Sequence, residues 1–471
     1  MTAEILRSAT SRLPRAVAVA AVYVGIIASS AAAEMKLPPV ERTVLSNGMV
    51  LLVMEDARLP LVNFNMAIWG GSASDPAGLE GVADLTATLV RKGAGGRSAG
   101  EIAEAVEFMG GSLDSHAERD FTVFTAEFLA KDMEKGLDLL GDVVLKPSFD
   151  GEEFEREKAK ALGKLEQIPD DPYELADREF AMFLLGHHPY AHPTTGTLSS
   201  VEAIARTDVT DFHNRFYRPQ RAVMAVVGDV DPAKALEAVR SVFGTWVPEG
   251  EGPVLPAAPE GEPGRRVLLI DKPDATQTQI RIGNVALSRT DKDYIPLTVL
   301  NVLFGGGFTS RLIDEIRVNR GLSYSPHSRL YSMAGGGMFV IEEYTRNEQA
   351  METVEVTLDL VKDLRDLPIP EDELAKTKSY ITGLFPLRLE RPESMARQLV
   401  EIELYHLGED YLYRYSEMVD GVTADELSRV ARKYIGYDDL TLVIVGVADQ
   451  LTGPLSQFGS VEVRTINAAQ N

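Results

Sequence analysis

The sequence predicts an α+β chain in which one domain is used twice, each copy a mainly antiparallel sheet packed with helices. Three observations carry this expectation. The window 204–228 runs from a helix through an aromatic pair into the apolar strand Ala222-Val223-Met224-Ala225-Val226-Val227-Gly228; the equally long window 422–446 repeats that order and ends in Leu440-Thr441-Leu442-Val443-Ile444-Val445-Gly446. Between them, residues 248–264 are dominated by Pro, Gly and Glu, with few large apolar groups, and read as a linker between halves of about two hundred residues each. Strand-like alternation and helical spacing also occur in both halves rather than segregating.

The elements follow in order. Residues 43–45 and 49–53 are strand-like around the turn Ser46-Asn47-Gly48. Residues 62–69 alternate and stop at Gly70-Gly71. A helix over 78–90 puts Val82, Leu85 and Leu89 on one side, and a second fits 99–109. Strands are expected at 112–117 and 121–129, then a helix at 133–144. Residues 154–166 are rich in the helix formers Glu, Lys and Ala, and Leu162 and Leu165 are spaced for a core face. Residues 173–185 and 209–217 read as helices, 186–196 as a loop rich in His, Pro and Thr, and 221–227 as a strand. In the second half, 276–285 and 335–343 read as strands and 295–303, 348–364 and 371–382 as helices. The last of these occupies the place that 154–166 holds in the first half. Residues 309–316 read as a helix turning Leu312, Ile313 and Ile316 to a core, stopped by Gly321, with a strand entered near Tyr324.

Composition narrows the function classes. The formal net charge of −24 leaves no general basic footprint for nucleic acid. The absence of cysteine excludes disulfides and cysteine-ligated metals. Arg7, Arg12 and Arg15 precede an apolar run over 16–28, then Ser29, Ser30 and Ala31-Ala32-Ala33. That order reads as a signal peptide, with Glu34 the expected first mature residue, against the plainer reading of an ordinary buried helix. The run is short for a membrane span, so a retained anchor is the weaker alternative. The expected organisation is a signal peptide over 1–33, domains over 34–247 and 265–471 and the linker over 248–264. The expected address is the periplasm of a Gram-negative bacterium, without stable membrane insertion of the mature chain; membrane association is the alternative.

Chemistry concentrates at Arg317-Val318-Asn319-Arg320-Gly321-Leu322-Ser323-Tyr324. A guanidinium and a phenol at one corner can grip a carbonyl oxygen and stabilise charge developing on it. The plainer reading is an Arg at a helix end and a Tyr on a strand. Gly305-Gly306-Gly307 lacks the Gly-Lys-Ser/Thr of a phosphate loop and reads as close packing or a helix entry. Gly335-Gly336-Gly337 reads as a loosened strand start or a bulge, and Trp69 and Trp246 as core or interface aromatics. The chain has seven histidines and neither a His-x-x-Glu-His nor a His-Glu-x-x-His motif. Its nearest cluster is His187-His188-Pro189-Tyr190-Ala191-His192, where Pro189 argues against a helix carrying His188 and His192.

The duplicated halves, the Arg317 corner and the preceding Leu303-Phe304-Gly305 resemble the M16 family of zinc peptidases, the pitrilysin and mitochondrial-processing-peptidase group, over nearly the whole mature chain. The resemblance implies duplicated M16-type domains forming half of a clam-shell chamber. In that family, one half of an active protein carries His-x-x-Glu-His on a helix: the histidines hold zinc, the Glu activates water, and a further Glu downstream completes the ligands. The matching segment here, Gly78-Leu79-Glu80-Gly81-Val82-Ala83-Asp84-Leu85, puts Gly81 and Leu85 at the histidine positions and Asp84 at the base position. Lys164 stands at the downstream glutamate position. No metal or other cofactor is expected in this chain. Arg317 and Tyr324 match, in type and spacing, the family pair that reaches across from the half facing the zinc to the scissile carbonyl.

The implied function is the non-metal-binding subunit of a heteromeric zinc endopeptidase. A homologous partner with intact His-x-x-Glu-His would supply zinc and the water-activating Glu. Arg317 and Tyr324 would act in trans on an extended or unfolded peptide. His116 lies in a strand region that in the family's fold can hold substrate backbone, or it is structural. The His187–His192 segment is implied to be a loop outside the metal centre. The alternative is a catalytically inactive structural, peptide-binding or assembly subunit, as in relatives that serve a respiratory membrane complex.

Overall fold

Apolar runs build two sheets whose central strands are buried on both faces and whose outer strands are partly exposed. The computed structural model describes residues 37–247 and 254–466. The expected signal peptide lies outside the described residues, as does part of the expected linker. Both sheets belong to the compact unit that begins at Pro38. The first sheet has the order β1 (Val40–Val44), β2 (Val50–Glu55), β8 (Ala222–Gly228), β3 (Leu61–Trp69), β7 (Phe121–Leu129), β6 (Ser112–Ala117). A short ribbon of β4 (Gly93–Ala94) and β5 (Arg97–Ser98) stands apart from it. The second sheet has the order β11 (His327–Ser332), β12 (Gly337–Arg346), β10 (Gln277–Ala286), β13 (Thr441–Gly446), β9 (Arg266–Asp271), β14 (Ser460–Thr465).

Taken from opposite ends, the two orders superimpose: β2-β8-β3-β7-β6 corresponds to β9-β13-β10-β12-β11. In both, the first pair is parallel and the rest antiparallel. Only the outer strand differs. β1 joins β2 antiparallel as a hairpin, whereas β14 joins β9 parallel from the far end of the chain. The repeat seen in two strand windows therefore extends through five strands of each half.

The halves are not self-contained. The helix Pro172–Leu185, from the first half, lies across β10 and β13 of the second sheet. The helix Pro392–Leu404, from the second, lies across β3 and β8 of the first. Side-chain alternation makes this exchange possible. Along β9, Val267 and Leu269 face the second half's own core, while Leu268 and Ile270 join a core with Leu175, Phe180 and Leu184 of the exchanged helix. Each half is thus a mainly antiparallel sheet packed with helices, as expected, and one helix on each sheet comes from the other half.

Two other expectations change. Residues 313–319 form π-helical turns rather than a regular helix, and a second π-helical segment covers Val302–Gly306. Tyr324 lies in a bend before β11, which begins only at His327, so it is not on a strand. The described part of the linker is held on both sides. His188 Nε2 lies 2.8 Å from the Ala257 carbonyl. A Cβ on Gly335 would sit 2.5 Å from the Pro256 oxygen, and one on Gly336 2.4 Å from Pro259 Cδ. These two glycines let the linker lie close against the loop before β12.

Candidate functional site

Gly81, Asp84, Leu85 and Lys164 do come together. All four line one cavity of about 660 Å³, walled by the start of the helix Val82–Leu89 and by the helix Gly151–Leu165. Gly81 is the N-cap, at φ 99°, and a Cβ there would lie 2.9 Å from the Thr195 carbonyl oxygen. The Asp75 carboxylate accepts from the Gly81 N–H at 2.7 Å and the Ala83 N–H at 2.9 Å, satisfying two free donors of the first turn. Leu85 is buried in the core. Burial pushes the Asp84 carboxyl up, opposed by a hydrogen bond from the Ala117 backbone and by the charges of His116 and Lys164. Lys164 is exposed on the cavity wall, and its side chain makes no hydrogen bond or ion pair among the described residues.

Glu157 also faces this cavity. Burial works against its charge, but Lys160 at 2.8 Å and Lys92 at 3.5 Å hold the carboxyl below its usual range. Its two lysines occupy it as an ion-pair partner. Among the described residues, no group of three or more His, Cys, Asp or Glu side chains is placed to hold a metal ion. Gly81 and Leu85 have no ligating atom in their side chains, and an ammonium at Lys164 opposes a metal cation.

Arg317 and Tyr324 form a second centre, on the other half, and neither lines that cavity. The corner is built from buried anchors: Leu312, Ile316 and Leu322 enter the core, and the Leu322 N–H donates to the Ile316 carbonyl at 2.8 Å. Thr345 Oγ1 donates to the Leu322 carbonyl at 2.7 Å, and Gly321 takes φ 63° to turn the chain. The Arg317 guanidinium then lies over the Tyr324 ring at 4.4 Å and at 5.9 Å from the Phe308 ring. Phe308 is 71% and Tyr324 69% exposed, so the stack faces outward.

The neighbouring arginines are committed. Arg311 is bidentate on Glu373 at 2.8 and 2.7 Å, and Arg320 pairs with Glu315 at 2.6 Å. Arg317 alone of the three has no hydrogen bond or ion pair among the described residues. Its N–H fork is available to an oxygen acceptor from outside. Phe308 was missed at the sequence level; an aromatic immediately after Gly305-Gly306-Gly307 was the available signal.

His116 lies on the edge strand β6, half exposed, with Glu118 at 3.6 Å. His187, His188 and His192 sit in a loop. In that loop Tyr190 donates from Oη to Asp120 at 2.5 Å. Asp120 also accepts from Tyr405 Oη at 3.1 Å and the Ala334 N–H at 2.8 Å, both from the second half. Trp69 packs edge-on against Phe121 and Tyr405, and Trp246 lies tilted against Phe243.

Comparisons with known proteins bear on the family and the fold. Residues 51–197 match the model for Insulinase (Peptidase family M16), and residues 203–381 match the model for the Peptidase M16 inactive domain. An uncharacterized zinc protease of Mycobacterium leprae is 30% identical over 398 residues, covering 84% of this chain and 89% of that protein. One of Mycobacterium tuberculosis is 30% identical over 395 residues, covering 83% and 90%. Among solved structures, a peptidase M16 inactive domain from Pseudomonas fluorescens aligns with a TM-score of 0.82 at 27% identity, over 87% of this chain and 98% of that one. A protease from Helicobacter pylori aligns with a TM-score of 0.81 at 21% identity, over 87% and 100%.

Proposed function

We propose a role for a chain that belongs to the M16 (insulinase) peptidase family and carries its inactive-type C-terminal domain: it is a catalytically inactive subunit that binds extended peptide or supports an assembly rather than cutting peptide bonds itself. The observation that carries this reading is the cavity around Gly81, Asp84, Leu85 and Lys164, where three positions that would hold a metal in an active relative offer no usable ligand. Peptide is the fitting ligand class because the free edge strand β6 can pair with an extended chain.

A second reading is favoured by one observation, the uncommitted Arg317 fork held on Tyr324 and displayed to solvent. In it, Arg317 and Tyr324 complete the active site of a homologous subunit with intact His-x-x-Glu-His, gripping the scissile carbonyl while that partner supplies zinc. We further propose a periplasmic address, supported by the basic and apolar order of residues 7–33. No helix among the described residues is long and apolar enough to cross a membrane.

One experiment separates the readings. Zinc content and cleavage of an unfolded peptide are measured for the purified chain, for a zinc-bearing homologue and for the mixture. No stoichiometric zinc and no cleavage by this chain alone are expected, and activity from it alone would sink both readings. Enhanced cleavage by the mixture, lowered by Arg317→Ala or Tyr324→Phe without loss of assembly, selects the second reading. A complex with unchanged cleavage selects the first.

A further inference from the structure

A second, larger cavity of about 940 Å³ lies between the two halves, walled by β6 on one side and β11 and the helix Pro392–Leu404 on the other. β6 and β11 are the end strands of their sheets, each paired on one side only among the described residues. Their unpaired backbone groups can take an added strand.

The wall also holds Arg119, at the tip of the β6–β7 turn. Its Nη1 donates to the carbonyls of Tyr190 and, at 3.2 Å, His192. Nε and Nη2 have no partner among the described residues, and no carboxylate forms an ion pair with the guanidinium. The adjacent Asp120 is already the acceptor for Tyr190, Tyr405 and Ala334. Burial pushes the Arg119 guanidinium below its ordinary range, against the influence of Tyr331, Tyr190 and Asp120. A part-buried cation with no ion-pair partner in contact is costly, and an entering anion relieves part of that cost.

We propose that this cavity is a peptide-carboxylate site: an extended peptide lies along a free strand edge and delivers one carboxylate to the Arg119 fork. The proposal rests on the peptide-binding reading above and adds to it the group that is recognised. A carboxylate matches the fork geometry in a way an amide carbonyl does not. The rim argues against a more highly charged anion, because Asp114, Glu118 and Glu393 line the same cavity. Arg397 at the rim also has no ion pair among the described residues, but it is exposed, and a solvated cation contributes less.

The test uses the purified full chain and a short unstructured peptide of Gly, Ser and Leu, labelled at its N-terminus and followed by fluorescence anisotropy. Three forms are compared: the free acid, the C-terminal amide, and the amide with one internal Glu. The free acid is expected to bind about tenfold more tightly than the amide, with N-acetylglycine competing for its site. Arg119→Gln should erase the difference, and Arg397→Gln should leave it. Recovery of affinity by the internal Glu assigns the site to carboxylates in general, and failure to recover assigns it to chain ends. Equal binding of acid and amide would overturn the carboxylate site and leave the peptide-binding reading standing, whereas absence of binding by all three forms overturns both. If Arg119→Gln does not fold, the acid–amide comparison and the N-acetylglycine competition on the unaltered chain decide the matter.

Discussion

The carboxyls of adjacent glutamates on β12 are pushed in opposite directions. Glu342 faces the exchanged helix, where Tyr173 Oη donates to it at 2.7 Å and His327 lies at 3.0 Å. Burial disfavours its charge, but these partners outweigh burial and hold the carboxyl down at about 2. Glu343 points to the other face and is almost fully buried, with one hydrogen bond, from Thr357 at 2.9 Å. Burial pushes its carboxyl up to about 8. Linkage sets the sign of the consequence. The unfolded chain releases the Glu343 proton near the ordinary glutamate value, whereas the folded chain keeps it, so this stability is complete at low pH and is lost as pH rises towards 8. Glu343→Gln should therefore flatten the pH dependence. Denaturant melts at pH 5 and pH 8 should show the wild type losing on the order of 2 kcal/mol more than the variant between them. Equal losses would mean that Glu343 is charged in the fold. The sequence reads only Glu-Glu here. The difference comes from partners contributed by remote segments, and no local pattern contains it.

At the scale of one element, the helix Val82–Leu89 has little room at its start for a larger side chain. Its start is closed from two sides. A Cβ on Gly81 would meet the Thr195 carbonyl at 2.9 Å, and one on Gly196 would meet the Glu80 carbonyl at 2.0 Å. Ser200 Oγ donates to that same Glu80 carbonyl at 2.7 Å. A histidine at 81 would need a positive φ and the displacement of backbone, a loss of about 1–3 kcal/mol. The combined change Gly81→His, Leu85→His and Lys164→Glu restores the ligand types without the room for them. Elemental analysis should find no stoichiometric zinc in the combined variant, and its melting temperature should fall; one zinc per chain would overturn the steric argument. This helix was legible in the sequence except for its start, expected at 78, because the turn closed by the Leu79 N–H on the Pro76 carbonyl runs almost directly into it. The strands β6 and β7 were readable in full, since their alternation is local. The destination of the helix Pro172–Leu185 was not. Its apolar stripe shows that it covers a sheet, but Leu175, Phe180 and Leu184 do not say which sheet.

At the scale of the whole molecule, the exchanged helices and the Asp120 centre make the two halves mechanically one. Asp120 draws donors from positions 70, 214 and 285 residues away in sequence, and two of the three belong to the other half. Tyr190, its first donor, also accepts from the Gly335 N–H at 3.0 Å, in the loop that supports the linker. The exchanged helix adds polar ties of its own: Arg281, buried in the second sheet, pairs with Asp177, and Arg464 lies 3.3 Å from Glu179. Separating the halves would expose two apolar helix faces and leave these groups without partners, so the intact chain should unfold in a single calorimetric transition. Asp120→Ala would leave two buried hydroxyls and one backbone N–H without an acceptor, and should cost about 3–5 kcal/mol. Tyr405→Phe removes one donor, keeps the ring packed on Trp69 and Phe121, and should cost about 1 kcal/mol. Both variants should still melt once, at lower temperature, because the exchanged helices remain. Two resolved transitions in the wild type would show instead that each half is stable alone and that the linker is a true hinge. A single transition would move any opening of a peptide chamber to contacts with another chain, leaving the cavity around Arg119 with fixed walls.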